Sequence, residues 1–554
     1  MHFKNVVILE FSQVDFIDDL KLNSLIKMAR KLKVLSIASC DRITRIPDFF
    51  GCPYLERLTF EHCSKLRKID SSIGKLKYLI YLSIYVCFGL EDLPEEIGNL
   101  LNLQHFSIQH CKVKKLPYSI WKLKSLRELH FVNSYDGLDS TNSWELPSAI
   151  RMLHNLEKLH VCSHSLKGQI PHEIGSLPLL RILNLSRTQL SEVPKSISIL
   201  TCLKGLELMG CDKFQELPML PASLTYLYVR STSLRVVPDL SNLTNLVELD
   251  LISWGGGDKP CIGELRWIGR LSKLTTLRLG LHNVHVPTEL ASLPLLNQLD
   301  LFGLDLQTFP QLPSSLQELR VDNFNFIVSL SQNLINLSCL GLYRSPMQEF
   351  ELNGHQLPNI RDLSIVKCES LKRFRLSSMR KLVSINVLIC PKLVELRFSR
   401  LESLDTLYIQ YCESFGRLVD VGEAGHDNNE SANKLISGEG TLILPLRALN
   451  KLRRFVLRGC PHILEMQIVG TSESWEYFGL YKCPYVQNLD GLSNLKNLKR
   501  LYIHDNEQLQ VIKGLDELEF LEELRIQRCG YLESLIDLSN TKLPHIYLRM
   551  QEKL

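Results

Sequence analysis

An α/β repeat solenoid, curved into a horseshoe with one continuous parallel β-sheet on its concave side, is the fold class this sequence predicts, on three observations. The first is a phrase, L-x-x-L-x-L-x-x-C followed by [IVL]-P, carried by Leu103, Phe106, Ile108 and Cys111 with Leu116-Pro117. The second is its recurrence: the copy at Leu79, Leu82, Ile84 and Cys87 lies 24 positions earlier, and the copy at Leu126, Leu129 and Phe131 lies 23 later. The third is a length of 554 residues, too great for one globular core but natural for an array that grows by adding units. A period in this range is that of leucine-rich repeats, whose units are each too small to bury their own apolar face.

Each part of the phrase has a physical role. The last two apolar residues of L-x-x-L-x-L are two apart, so in a strand they point to one side while their neighbours point to the other. Every unit therefore contributes one short parallel strand to a shared core. The first leucine and the residue at the cysteine position turn inward as the chain bends away. The following [IVL]-P fixes φ and removes a backbone donor, so the ladder ends and the chain returns along the other face.

Taken in order, the phrase occurs about twenty-three times. An irregular first unit (Val6, Leu9, Phe11) precedes a polar stretch around Asp18–Lys31 that reads as helical. Units then begin at Leu32, Leu55, Leu79, Leu103, Leu126, Leu156, Leu180, Leu203, Leu224, Leu246, Leu274, Leu296, Leu316, Leu337, Ile360, Leu382 and Leu404, and later at Leu452, Trp475, Leu498, Leu521 and Leu543. Loops are expected to bulge at Asn133–Ser148 and Ser253–Arg270. A polar, glycine-bearing stretch divides the array into an N-terminal arm (1–415), a mobile insertion (416–450) and a C-terminal arm (451–554). A solenoid normally closes its ends with atypical caps; this chain starts and stops within repeats, which reads as a fragment or as a partner to adjoining domains.

The composition is that of a soluble protein: 45% apolar, 22% charged, with a net charge of +4. So small a charge argues against a dedicated nucleic-acid binder, and no apolar run approaches the roughly 20 residues a membrane helix needs. Of the 16 cysteines, eleven fill one repeat slot: Cys40, Cys63, Cys87, Cys111, Cys211, Cys368, Cys390, Cys412, Cys460, Cys483 and Cys529. There a small side chain sits under the turn, and a thiol can make a weak hydrogen bond to nearby backbone. Adjacent slots would lie about 5 Å apart, where an oxidising compartment risks random cross-links. The placement points to reducing cytoplasm, with the nucleus as the alternative.

The slot cysteine, the uneven unit length and the [IVL]-P-x-x-I-G-x-L return together resemble the repeat region of plant intracellular nucleotide-binding, leucine-rich-repeat disease-resistance proteins. Leu32–Pro47, Leu116–Leu129 and Val237–Leu251 carry the likeness, which is closest to the Toll/interleukin-receptor class and covers nearly the whole chain. The resemblance implies a non-catalytic protein-recognition module of plant innate immunity, binding a pathogen effector or the nucleotide-binding domain of its own receptor. One departure matters: no G-x-x-x-x-G-K-[ST] occurs, so no phosphate-cradling loop is expected here. Gly175-Ser176-Leu177-Pro178-Leu179 echoes a motif of the family's ATPase but lies in a return segment. A substrate-recruiting arm of a ubiquitin ligase and a cytosolic signalling scaffold are the alternative functions. The first lacks room for an F-box-like segment in residues 1–31, and the second usually has regular units with Asn in the slot.

No catalytic constellation, cofactor site or small-molecule site is expected, and the chain is not read as an enzyme. His130, His160 and Cys162 would face the concave side from neighbouring strands, but a long loop joins those strands and the register is read as fixing no carboxylate or third histidine beside them, so no metal is expected. The sequons at Asn184, Asn242, Asn336 and Asn429 carry no weight in a cytosolic chain. Function must then lie on the concave sheet. In the C-terminal arm the register displays Arg454, Val456 and Arg458, then Tyr477, Gly479 and Tyr481, then Arg500, Tyr502 and His504, then Glu523, Arg525 and Gln527. The candidate protein-binding residues are Arg454, Arg458, Tyr477, Tyr481, Arg500, Tyr502, His504 and Arg525. Arg and Tyr are enriched at binding hot spots, and rows about 5 Å apart would interleave them into one basic, aromatic patch suited to an acidic protein surface. The central strands (Glu248, Asp250, Arg278, Asp300, Glu318, Arg320, Asp322) mix both signs.

Overall fold

Alternation of one buried and one displayed residue recurs in most full-length strands of the long parallel sheets. In Tyr81–Tyr85, for instance, Leu82 and Ile84 are fully buried while Tyr81, Ser83 and Tyr85 are not. The computed structural model describes residues 5–46, 48–133, 143–253, 264–282, 284–304, 311–323, 334–421, 440–530, 532 and 545–549. Contacts group the chain into two compact units, Met1–Glu289 and Leu290–Leu554.

In the first unit the strands Ile8–Ser12, Val34–Ala38, Arg57–Glu61, Tyr81–Tyr85, His105–Gln109, Glu128–Val132 and Lys158–Cys162 pair in sequence, all parallel. Ile182–Asn184, Gly205–Met209, Tyr226–Ser231, Glu248–Ser253 and Thr276–Gly280 continue the series. From the second strand on, each begins two residues after the expected first leucine, so the sequence register holds. The expected helix runs Asp19–Met28; Asp18 caps it by accepting the Lys21 N–H at 2.9 Å, and Leu22 and Ile26 are buried. The expected bulges at 133–148 and 253–270 fall largely outside the described residues; their ends lead into 3₁₀ turns at Ser148–Met152 and Arg266–Arg270.

Several returns of this unit are stacked 3₁₀ turns, most of them entered through proline, while Arg45–Ile46 with Lys68–Ile69 and Lys167–Gln169 with Gln189–Glu192 pair as short strands. Pro94, Pro117, Pro171 and Pro194 stand immediately before Glu95–Asn99, Tyr118–Lys122, His172–Ser176 and Lys195–Ile199, where a missing N–H costs nothing. The glycine of I-G-x-L has a steric purpose: a Cβ on Gly98 would stand 2.3 Å from Ser119 Cβ and 2.6 Å from its carbonyl oxygen, and one on Gly175 would stand 2.6 Å from the Ser196 carbonyl.

The second unit carries Gln298–Leu301, Glu318–Asp322, Cys339–Tyr343, Asp362–Val366, Ser384–Leu388, Thr406–Gln410, Arg454–Arg458, Tyr477–Tyr481, Arg500–His504, Glu523–Gln527 and His545–Arg549, again paired in order and parallel. Thr406–Gln410 pairs directly with Arg454–Arg458, so the polar stretch expected to separate two arms does not interrupt this sheet. Its flanks are strands as well, Arg417–Asp420 and Thr441–Pro445, while 422–439 lies outside the described residues. Here the returns themselves pair into short parallel sheets, one of Glu349–Asn353, Arg373–Ser377, Glu395–Ser399 and Arg417–Asp420, another of Thr441–Pro445, Glu465–Val469, Asn488–Asp490 and Val511–Ile512. These return strands went unread in the sequence, although Arg373-Phe374-Arg375-Leu376-Ser377 alternates in the manner of a half-buried strand.

The slot cysteines behave as expected. All eleven are free thiols, ten of them buried and Cys529 half-buried. The thiol donates to the carbonyl two residues back, as in Cys40 to Ala38 (3.3 Å), Cys111 to Gln109 (3.4 Å) and Cys483 to Tyr481 (3.4 Å). Burial pushes the Cys111 thiol up to about 11, well away from a reactive thiolate at neutral pH. Three sequon asparagines spend their amides as donors: Asn184 on Glu207, Asn242 on the Leu220 carbonyl and Asn336 on the Ser314 carbonyl. Asn429 lies outside the described residues.

Candidate functional site

Five adjacent strands of the second unit, Thr406–Gln410 through Glu523–Gln527, set the candidate surface in three columns. One holds Thr406, Arg454, Tyr477, Arg500 and Glu523; the next Tyr408, Val456, Gly479, Tyr502 and Arg525; the third Gln410, Arg458, Tyr481, His504 and Gln527. All eight residues expected from the sequence therefore lie on one face. Phe455, Leu457, Phe478, Leu480, Leu501 and Ile503 between them are fully buried and anchor the strands.

The aromatic part is packed rather than splayed. Gly479 has no side chain between Tyr477 and Tyr481, and a Cβ there would stand 2.5 Å from one ring and 3.1 Å from the other. The two phenols lean across it and hydrogen-bond to each other. Tyr502 meets Tyr477 edge-on at 5.2 Å, and His504 lies 5.3 Å from Tyr481 and 6.1 Å from Tyr502. Burial raises the Tyr477, Tyr481 and Tyr502 phenols above their ordinary range and lowers the His504 imidazole, so at neutral pH all four are uncharged.

The charged part divides in two. Arg525 stacks over Tyr502 at 4.9 Å and donates through Nε to Glu523 at 2.6 Å, while the Tyr502 hydroxyl donates to the other Glu523 oxygen. The hydrogen bond from Tyr502, then that from Arg525, holds the Glu523 carboxyl below its usual range. The positive charge of Arg525 is thus largely cancelled in place. By contrast, no carboxylate among the described residues lies within ion-pair distance of Arg454, Arg458 or Arg500. Arg458 lies 5.4 Å from the Tyr411 ring, with its Nε buried and unpartnered; His504 Nε2 is likewise buried without a partner.

On the central strands the displayed arginines are already matched. Arg278 reaches Asp250 at 3.8 Å, and Arg230 also pairs with it. Arg320 meets Asp300 at 3.4 Å and Glu318 at 3.2 Å, and Arg344 Nε donates to Asp322 at 2.7 Å. The mixed signs noted in the sequence are therefore cross-strand ion pairs. Sequence reading missed Tyr408 and Tyr411, which complete the patch; continuing the register across the polar stretch would have found Tyr408. It also missed that Glu523 neutralises Arg525.

The histidines expected on the first unit lie on adjacent strands, with the His130 and His160 rings 4.6 Å apart. Cys162 donates to Asn184 at 3.4 Å and does not join them. Contrary to the sequence reading, the register does bring in a third histidine and a carboxylate, because His105 pairs with Glu128 two positions before His130.

A family profile described as a leucine-rich repeat region matches residues 31–181. TMV resistance protein N of Nicotiana glutinosa is 33% identical over 224 residues, 36% of this chain and 19% of that protein. Protein SUPPRESSOR OF npr1-1, CONSTITUTIVE 1 of Arabidopsis thaliana is 28% identical over 356 residues, 63% of this chain and 22% of that protein. This is a leucine-rich-repeat region similar to that of plant disease-resistance proteins. The repeat region spans about a fifth of the length of those relatives. Disease resistance protein RPP5 of Arabidopsis thaliana is 29% identical over 210 residues, 37% of this chain and 14% of its own. Among solved structures, a leucine-rich-repeat protein of Leptospira interrogans is 22% identical, covers 70% of this repeat region and 85% of its own chain, and superposes with a TM-score of 0.44. No described helix of the repeat region is long and apolar enough to cross a membrane.

Proposed function

We propose that this leucine-rich-repeat region is a non-catalytic protein-recognition module of plant innate immunity, acting in the cytoplasm or nucleus. It holds an acidic protein surface, of a pathogen effector or of a receptor's nucleotide-binding domain, on the displayed face of the second unit. One observation carries this reading: among the described residues Arg454, Arg458 and Arg500 have no carboxylate within ion-pair distance, and they are set among Tyr477, Tyr481 and Tyr502 on a face where Arg320 and Arg525 are ion-paired. Guanidinium and phenol groups held on rigid strands give large contact area for little lost freedom. Two buried nitrogens, Arg458 Nε and His504 Nε2, have donor or acceptor capacity that a docked surface would satisfy. The likeness to resistance proteins supplies the biological setting.

The test is capture from nuclease-treated leaf extract by the immobilised full chain. The wild type is compared with Arg454→Ala/Arg458→Ala/Arg500→Ala and with a control that removes three ion-paired cations, Arg373→Ala/Arg375→Ala/Arg380→Ala. Proteins held through the patch should be recovered at least tenfold less by the first variant, as much as ever by the control, and less at high salt. Equal recovery by both variants and the wild type, or equal loss in both, would reject the patch.

A further inference from the structure

We propose that the displayed sheet face of the first unit holds a divalent zinc ion through His105, Glu128 and His130, with His160 at its border. Three parallel strands create the site. His105 opens one strand, Glu128 opens the next directly opposite, His130 follows two positions later on the same face, and His160 is the register partner of His130 on the third strand. Glu128 Oε2 lies 2.9 Å from His105 Nδ1 and 3.6 Å from His130 Nε2, and the three ligand atoms fall within 4.8 Å of one another. Ligands about 2.0–2.2 Å from a tetrahedral zinc stand roughly 3.3–3.5 Å apart. The observed triangle therefore needs its longer sides shortened by about an ångström.

The surroundings orient these ligands. Tyr81 stacks flat on the His105 ring at 4.2 Å, and the Arg57 guanidinium lies 4.0 Å beyond the Tyr81 centroid. Lys158 binds the other oxygen, Oε1, of Glu128 at 2.8 Å, which leaves Oε2 turned to the two histidines. Buried beside them, His160 Nε2 has no hydrogen-bond partner among the described residues, which a native fold seldom leaves unexplained. Imidazole and carboxylate are the donor set of zinc rather than of calcium or magnesium. Three protein ligands leave one coordination position for water or for a side chain of a docked protein, which would make the site a second point of attachment, independent of the arginine patch.

The experiment uses the full chain, stripped with a chelator and kept reduced, titrated calorimetrically with zinc chloride and spectroscopically with Co²⁺. The expected result is one saturable zinc per chain and a Co²⁺ spectrum with d–d bands but no thiolate charge-transfer band, which separates this site from the cysteines. Zinc should raise the melting temperature of the wild type. His105→Ala/His130→Ala, and separately the near-isosteric Glu128→Gln, should weaken binding at least tenfold and lose the zinc-dependent shift. Melts without metal establish that each variant is folded; the conservative Glu128→Gln carries the test if the double variant is not. Absence of saturable binding, binding unchanged in either folded variant, or a thiolate band would overturn the site and leave a plain hydrogen-bonded histidine cluster.

Discussion

The residue before the slot cysteine adopts a left-handed backbone in one unit after another: Ser39, His62, Val86, His110, Lys367, Ile389, Tyr411, Lys482 and Arg528 have φ between 50° and 56°. That conformation turns the chain off the sheet and places the cysteine beneath the turn, where its thiol bonds the carbonyl two residues back. Only at Gly210 and Gly459 is the residue one that adopts it without steric cost. A β-branched residue is the least suited, since its Cβ crowds the following carbonyl. Ile389, with φ of 56° and 38% of its surface exposed, contributes little burial in exchange. Ile389→Asn is therefore expected to stabilise the chain by about 1 kcal/mol, measured as a higher melting midpoint; a lower midpoint would mean the isoleucine packs more tightly than its exposure implies. The same scale decides how much of the candidate site was legible. Strand alternation sufficed to put Arg454, Tyr477, Arg500 and their neighbours on one face, because register is a backbone property. Which arginine stays available is a matter of side-chain reach, and Glu523 on Arg525 could not be read from spacing.

Returns are where element-level packing tightens. In the first unit successive 3₁₀ turns approach so closely that Gly98 faces the Ser119 side chain and carbonyl with no room for a methyl group. The motif [IVL]-P-x-x-I-G-x-L thus combines a proline that starts the turn, an isoleucine that fills the core and a glycine that lets the next turn stack. Gly98→Ala would force the turns apart against the closely spaced sheet strands. It should cost about 1–3 kcal/mol, as overpacking does, read as a lower denaturant midpoint; Asn99→Ala in the same turn serves as the control. The return strands of the second unit, Glu349–Asn353 to Arg417–Asp420, escaped sequence reading for a related reason. Their alternation is short, so only pairing with a neighbour identifies them as sheet.

At the scale of the molecule, each unit touches mainly the units before and after it, so stability is a chain of nearest-neighbour terms. Phe398, 1% exposed in the return strand Glu395–Ser399, is a suitable probe. Phe398→Ala should cost about 3–5 kcal/mol locally. Hydrogen exchange should quicken in Arg373–Ser377 and Arg417–Asp420 while Arg500–His504, further along the same unit, keeps its protection. Uniformly faster exchange through the unit would show a globally cooperative fold instead.

By itself the sequence determined the repeat type, the parallel strands, their register, the slot cysteines and which residues share the displayed face. All of these follow from apolar spacing and turn chemistry within one or two units. Tertiary structure alone decided which displayed charges cancel, how closely Glu128 approaches His105 and His130, and that returns become four-stranded sheets in the second unit. Those outcomes depend on side-chain distances between strands some twenty residues apart, which spacing constrains but does not set.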